Sequence, residues 1–288
     1  MSKTRSPKLP PMTALEFAIS NSFRHFFFGL RCAILWLIVL LPFLAAAYYF
    51  GFSNGTSDFK ALPPPAMASF AALSVAALLA TISIAVNWHR RLILAEQPRH
   101  LGWVRLNWVV WRYLLVFLFI SLVIGAVATA IFAVLTYAVP RLEPTLAAAA
   151  KPVGIGASVL LGLFGLFTWY RLSTLLPSVA VGDKDYTLSR AWKSTRSNRM
   201  RFLGFSFWLL FSLAIAGGIG AAAFFGQKAL INPYATAGAF SLIGLLAWLS
   251  LFLITSISAS HYAHFSGRGY GKNKPESKID TGSRPADE

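Results

Sequence analysis

Apolar positions in this chain do not alternate with polar ones but gather into six long runs, at residues 32–49, 66–86, 113–139, 154–177, 202–225 and 236–260, and none of the six holds an Asp or Glu. A hydrocarbon core about 30 Å thick takes about 20 residues of helix at about 1.5 Å each, and a helix is the open segment that satisfies its own backbone there. The pattern therefore predicts an all-α polytopic integral membrane protein with six transmembrane helices. The polar, Pro- and Gly-bearing stretches 1–12 and 265–288 are expected to be disordered tails around one membrane domain at 13–264.

Composition agrees: 56% of the 288 residues are hydrophobic and 12% charged, with a mean hydropathy of +0.60. The run at 32–49 ends near Ala45-Ala46-Ala47, which resembles a signal-peptidase site, but 31 residues precede it. A retained helix is expected.

The net charge of +16 would suit a nucleic-acid binder, yet the placement of the charge argues for a membrane. From the N-terminus, the segments between runs carry 5, 1, 5, 2, 7, 1 and 5 Lys plus Arg, with Arg171 counted in the segment after the fourth run. Alternate segments thus hold 22 and 4, a positive-inside pattern that puts both termini in the cytoplasm. Anionic lipid is the expected partner, at about 1 kcal/mol per basic residue near the surface, with no nucleic acid.

The even-numbered runs end alike. Trp88-His89-Arg90-Arg91 closes the second and Trp169-Tyr170-Arg171 the fourth, 81 residues apart. Beyond each lies a basic, aromatic-bearing segment, 102–112 and 188–201, in which Trp103 and Trp192 stand 89 apart, so an insertion of 8 residues around "VAVGDKDY" relates the two. Residues 13–31 occupy the same place before the first run, and "SHYAHF" follows the sixth. The arrangement predicts three repeats of a cytoplasmic amphipathic helix followed by a transmembrane hairpin.

In the segment 188–201, Leu188, Trp192 and Thr195 fall on one helical side and Arg190, Lys193 and Arg196 on another, with Thr187 and Asn198 as caps. Such a helix lies flat in the interface. Four-residue steps of small residues (Ala68, Ala72, Ala76, Ala80; Ser121, Gly125, Thr129, Ala133) predict close helix packing. Pro42 is expected to kink the first span.

Chemistry is sparse. Zinc-protease, P-loop, nucleophile-elbow and cysteine-pair motifs are absent, and no paired carboxylates sit at membrane depth. The lone Cys32 suits a buried apolar position. All five histidines map to the basic side and are expected to meet water and headgroups rather than a metal. Arg171, six residues before Pro177, is expected to snorkel to the interface. The alternative is partial burial between spans as a site for an anionic headgroup or substrate, with Ser173, Thr174 or freed carbonyls as partners.

Residues 170–208, "YRLSTLLPSVAVGDKDYTLSRAWKSTRSNRMRFLGFSFW", resemble a segment of the membrane domain attached to some bacterial glycerophosphodiester phosphodiesterases and of its stand-alone six-span inner-membrane relatives. The resemblance implies a bacterial inner-membrane protein. It carries no catalytic residue across, because those enzymes work through a separate soluble domain.

The expectation is a non-enzymatic, cofactor-free inner-membrane scaffold or subunit whose basic face engages anionic lipid and a membrane or cytoplasmic protein. Its candidate contacts are Arg90, Arg91, Arg171, Arg190, Lys193 and Arg196. The alternative is a transporter or permease component for a small anionic or lipid-like substrate, built around Arg171. An enzyme acting on phospholipid headgroups is the weakest reading, for want of a nucleophile and base.

Overall fold

The computed structural model describes residues 11–52, 63–98, 100–133, 159–204, 206–207 and 233–267. Among these there is helix and no strand. The order is α1 (Pro11–Arg24), α2 (Phe26–Phe52), α3 (Pro64–Leu94), a 3₁₀ turn (His100–Trp103) and α4 (Trp108–Ala133), followed by α5 (159–172) and α6 (Leu175–Val181). Then come α7 (Leu188–Ser194), a second 3₁₀ turn (Arg196–Asn198), α8 (199–204) and α9 (Pro233–Ser266).

Four helical stretches are long and apolar enough to cross a membrane: Phe26–Phe50, Pro64–Leu94, Trp108–Ala130 and Val159–Val181. The chain is accordingly described as a membrane protein. Most of the fifth apolar run, and the greater part of both tails, lie outside the described residues. The sixth run falls on α9, a helix of 34 residues without Asp, Glu, Lys or Arg. Helix extends two residues beyond the expected membrane domain at each end, because α1 begins at Pro11 and α9 ends at Ser266.

Local sequence explains the helix ends. Pro63 is the extended N-cap of α3, and Pro64 stands where a missing N–H costs nothing. α2 runs through Pro42 as one helix. Three residues adopt left-handed φ among those described, Ala95 (50°), Gly182 (76°) and Gly267 (75°), and they follow α3, α6 and α9 respectively. Each helix closes on the conformation that turns the chain away from its axis.

The core is centred on α3. Ala80, Ile84 and Trp88 belong to one buried cluster with Cys32, Trp36, Tyr170, Phe252 and Tyr262. Ile82, Ala85 and Val86 belong to a second, with Val110, Ile120, Leu172 and Leu176. α2 and α9 pack on one side of α3 and α4 and α6 on the other, while α1 packs against α9. Burial is graded along the bundle. On α3 it is continuous from Ile82 to His89, whereas Met67 and Val75 are exposed. On α5 and α6 it concentrates at residues 168–180, and among the residues of α9 whose burial is described it runs through 255–263. All of these lie toward the basic ends of their helices.

Gly29 shows what the tight end requires. A Cβ there would stand 3.0 Å from the Phe252 ring and 3.3 Å from Trp88, so hydrogen alone lets α2 approach both neighbours. The small-residue stripes play this part only at Ala80, which is buried in the core; Ala68, Ala72, Gly125 and Thr129 are exposed, and a Cβ on Gly125 would meet nothing within 4 Å. Four-residue spacing marks a helical face without saying whether it meets protein or lipid.

Candidate functional site

The described helices place their cations at one end of the bundle and cross-link that end with polar contacts. Arg90 and Arg91, in the last turn of α3, diverge. Arg90 forms an ion pair with Glu96, its Nε donating to Oε2 at 2.7 Å, and its Nη1 donates to the Ala180 carbonyl on α6 at 2.8 Å. Arg105 reaches the other oxygen of Glu96 at 2.7 Å. Burial alone would raise the Glu96 pKa, but hydrogen bonds and charge from Arg90 and Arg105 outweigh it and hold the carboxyl below its ordinary range. Arg91 lies over the Phe28 ring, 5.6 Å from its centroid. Its charge adds to burial in keeping the His25 pKa low.

Arg171 is buried rather than snorkelled, at 2% exposed. Its Nε donates to Thr195 Oγ1 at 3.1 Å and its Nη2 to the Trp192 carbonyl at 2.7 Å. The guanidinium carbon stands 3.5 Å from the centroid of the Trp192 ring and 5.5 Å from that of Phe167. The partners expected from sequence, Ser173 and Thr174, instead bond backward to the Tyr170 and Arg171 carbonyls at 3.2 and 2.9 Å, where α5 breaks before α6. Arg171 therefore ties the end of α5, within the fourth span, to the basic segment that follows that span.

That segment is a shorter helix than its pattern predicts. Thr187 caps α7, its Oγ1 accepting from the Arg190 N–H at 3.3 Å, as expected. The helix stops at Ser194, and Asn198 sits inside the 3₁₀ turn rather than capping an α-helix. The Thr195 hydroxyl donates to the Ala191 carbonyl at 2.8 Å and accepts from Arg171, which fixes this bend. Ala191, Thr195 and Asn198 face inward; Leu188, Arg190, Trp192, Lys193, Arg196 and Arg199 are exposed. Trp192 thus shields Arg171 with one face of its ring while 44% of its surface stays open.

Two other segments differ from their expected form. In 13–31 the chain turns at His25, so residues 26–31 already belong to α2. In 102–112 there is no amphipathic α-helix: the Asn87 amide holds the Gly102 and Trp103 carbonyls at 3.2 and 3.0 Å, and Arg31 lies 4.8 Å over the Trp103 ring. Carbonyls engaged by a side chain in this way are kept from an α-helical ladder, and α4 begins only at Trp108.

The first Trp-X-Arg landmark is core rather than interface, whereas Trp169 of the second is half-buried against Phe117. Trp88 is buried, packs on Phe252 with ring centroids 4.4 Å apart, and donates from Nε1 to Ser256 Oγ on α9 at 2.8 Å. His89 and His261, expected to meet headgroups, are fully buried, and His89 Nε2 shares a 3.1 Å hydrogen bond with the Tyr113 hydroxyl. Polar residues survive at these depths because neighbouring helices supply partners.

Sequence reasoning missed Glu96, Asp183 and Tyr262, and it placed Thr195 on a helical side without its bond to Arg171. Asp183 Oδ2 accepts from the Tyr262 hydroxyl at 2.6 Å. The Tyr186 ring stands edge-on to Tyr262, and burial raises its phenol pKa despite hydrogen bonds with Ser194 and Thr174. One signal was available for Asp183, which directly follows Gly182, a residue type that favours the left-handed end of a helix; Ala95 gave none for Glu96.

Chemically, the site can bind anions and hold helices together. Among the described residues no three His, Cys, Asp or Glu side chains gather as metal ligands. Compared with known proteins, the chain matches no family model, no curated protein and no solved structure.

Proposed function

We propose that this chain is a six-span inner-membrane protein of bacterial type, non-enzymatic, with both termini cytoplasmic, whose basic end forms a collar that engages anionic lipid and serves as a scaffold or subunit. The carrying observation is the exposed face of α7 and the turn after it, where Leu188 and Trp192 lie beside Arg190, Lys193, Arg196 and Arg199. Apolar and cationic groups in one surface strip suit the boundary between acyl chains and phosphates. The orientation rests on the placement of Lys and Arg. The bacterial inner-membrane assignment rests on the resemblance of residues 170–208.

The three-unit reading gains support from the helix ends. Left-handed residues follow α3, α6 and α9, and the first two are each succeeded by an acid. Ala95 and Gly182 stand 87 apart, so 6 of the 8 inserted residues precede the cap, where α5 breaks and α6 adds turns. The transporter alternative rests on Arg171 alone, and the bonds of that residue to α7 favour a holding role.

The test is lipid retention. Purified chain should keep phosphatidylglycerol through detergent exchange, read by native mass spectrometry, and the triple change Arg190→Gln, Lys193→Gln, Arg196→Gln should strip most of it. Retention unchanged by the triple variant would refute the collar.

A further inference from the structure

α7 is held to the bundle by side-chain bonds rather than by packing. It has seven residues, of which only Ala191 is buried, and it shares no extended contact with any of the long described helices. A helix of that length has little stability of its own in water. The chain is fixed on either side of it. Before it stands the buried Tyr186, whose hydroxyl lies 3.3 Å from those of Thr174 and Ser194, and after it the buried Asn198. Between these anchors the hold is concentrated in Arg171, which bonds the Thr195 hydroxyl and the Trp192 carbonyl and stacks on the Trp192 ring at 3.5 Å.

Two demands fall on the Trp192 ring. Stacked on Arg171, it keeps water from a guanidinium that is 2% exposed. Exposed beside Leu188, with Arg190 and Lys193 on the same short helix, it is also the group suited to enter the acyl boundary of an anionic surface. One ring meets one demand at a time, because insertion draws it off the guanidinium. The two positions are close in energy. Leaving forfeits a cation–ring contact, but it readmits water to a charge whose hydrogen-bond acceptors, a hydroxyl and a carbonyl, are neutral.

We propose that α7 is a strap with two positions: latched, with Trp192 closed over Arg171, and lifted, with Leu188 and Trp192 in an anionic lipid surface that Arg190 and Lys193 attract. The structure holds the latched position. Anionic lipid favours the lifted one because it contacts the strip more fully there, and such a difference in affinity is what lets a ligand move an equilibrium. The proposal rests on the collar reading and adds regulation to it: through Arg171, the charge of the bilayer is felt at the end of α5.

The test is a distance. Spin labels are placed on the full chain at Ser189→Cys, on α7, and at Gln97→Cys, beside the doubly paired Glu96, both exposed positions, with Cys32→Ala removing the native thiol. Electron–electron double resonance is then recorded in lipid nanodiscs. Phosphatidylcholine discs should give one dominant distance, and phosphatidylglycerol in the discs should add a second. Trp192→Leu, at an exposed position that leaves the core intact and keeps an apolar anchor, weakens the latch. It should raise the ratio of the second distance to the first about tenfold at a given lipid composition, the order that one partly desolvated cation–ring contact supplies. Arg171→Gln should shift the ratio the same way. One unchanged distance in both lipids, with phosphatidylglycerol still retained in native mass spectrometry, overturns the strap and leaves the collar standing. A second distance whose share Trp192→Leu does not raise overturns the latch, and with it the proposal. One unchanged distance with no phosphatidylglycerol retained overturns both readings.

Discussion

Tyr262 on α9 donates its hydroxyl to Asp183 at 2.6 Å across 79 positions of sequence, and so joins the last described helix to the loop between α6 and α7. Tyr262 is fully buried, so the bond forms where water does not compete for the donor. Tyr262→Phe should lower stability by about 1–2 kcal/mol, seen as a reduced melting temperature in detergent. Asp183→Asn, which keeps an acceptor, should cost less. Equal melting of Tyr262→Phe and the parent chain would show that the bond contributes nothing to holding α9.

Glu96 predicts a pH dependence. Its carboxyl is held below the ordinary range in the folded chain. Its contribution is therefore full above the unfolded value near about 4.3 and is lost as pH falls through the lower folded value. Glu96→Gln should be less stable than the parent by about 1 kcal/mol at neutral pH, a modest figure because the pair is partly exposed. The gap should close toward acid pH, and melting curves of both proteins from neutral pH downward check it. A constant gap would mean that the loss comes from packing.

Gly29 and Gly125 should respond in opposite ways to the same change. Gly29→Ala drives a methyl against Phe252 and Trp88 and should destabilise by about 1–3 kcal/mol. Gly125→Ala meets open space and should be neutral or stabilise by up to about 1 kcal/mol through helix propensity. Paired melting measurements decide it.

Ala95 sits at φ 50°, where a Cβ crowds the backbone. Ala95→Gly should relieve that strain and raise stability by about 0.5–1 kcal/mol, net of the extra freedom of glycine when unfolded. A lower melting temperature for this variant would mean that the Ala95 methyl packs more usefully than its backbone strains.

Four spans were legible because every residue of a bilayer-crossing helix must be apolar or paired, and that requirement leaves a long unbroken run. Cys32 as a small buried residue and Thr187 as a cap were legible for similarly local reasons. The roles of Trp88, His89 and Arg171 were not. A Trp-His-Arg cluster at the end of a run looks the same whether lipid headgroups or other helices surround it. What decides is Ser256, Tyr113 and Thr195, which lie 168, 24 and 24 positions away. The segment 102–112 was misread because its basic-aromatic pattern suits a helix, while Asn87, the polar residue that directly follows the second apolar run, had already claimed its carbonyls. Asn87 and the Ser-rich stretch 255–260 were the cues: polar residues that deep need distant partners.

The graded burial of the bundle carries a mechanical consequence. Among the described residues, polar cross-links and close packing gather at the basic ends of the helices. A change in tilt that hydrophobic matching demands when the bilayer thins or thickens therefore meets its stiffest resistance there, and Arg171 and α7 keep their geometry.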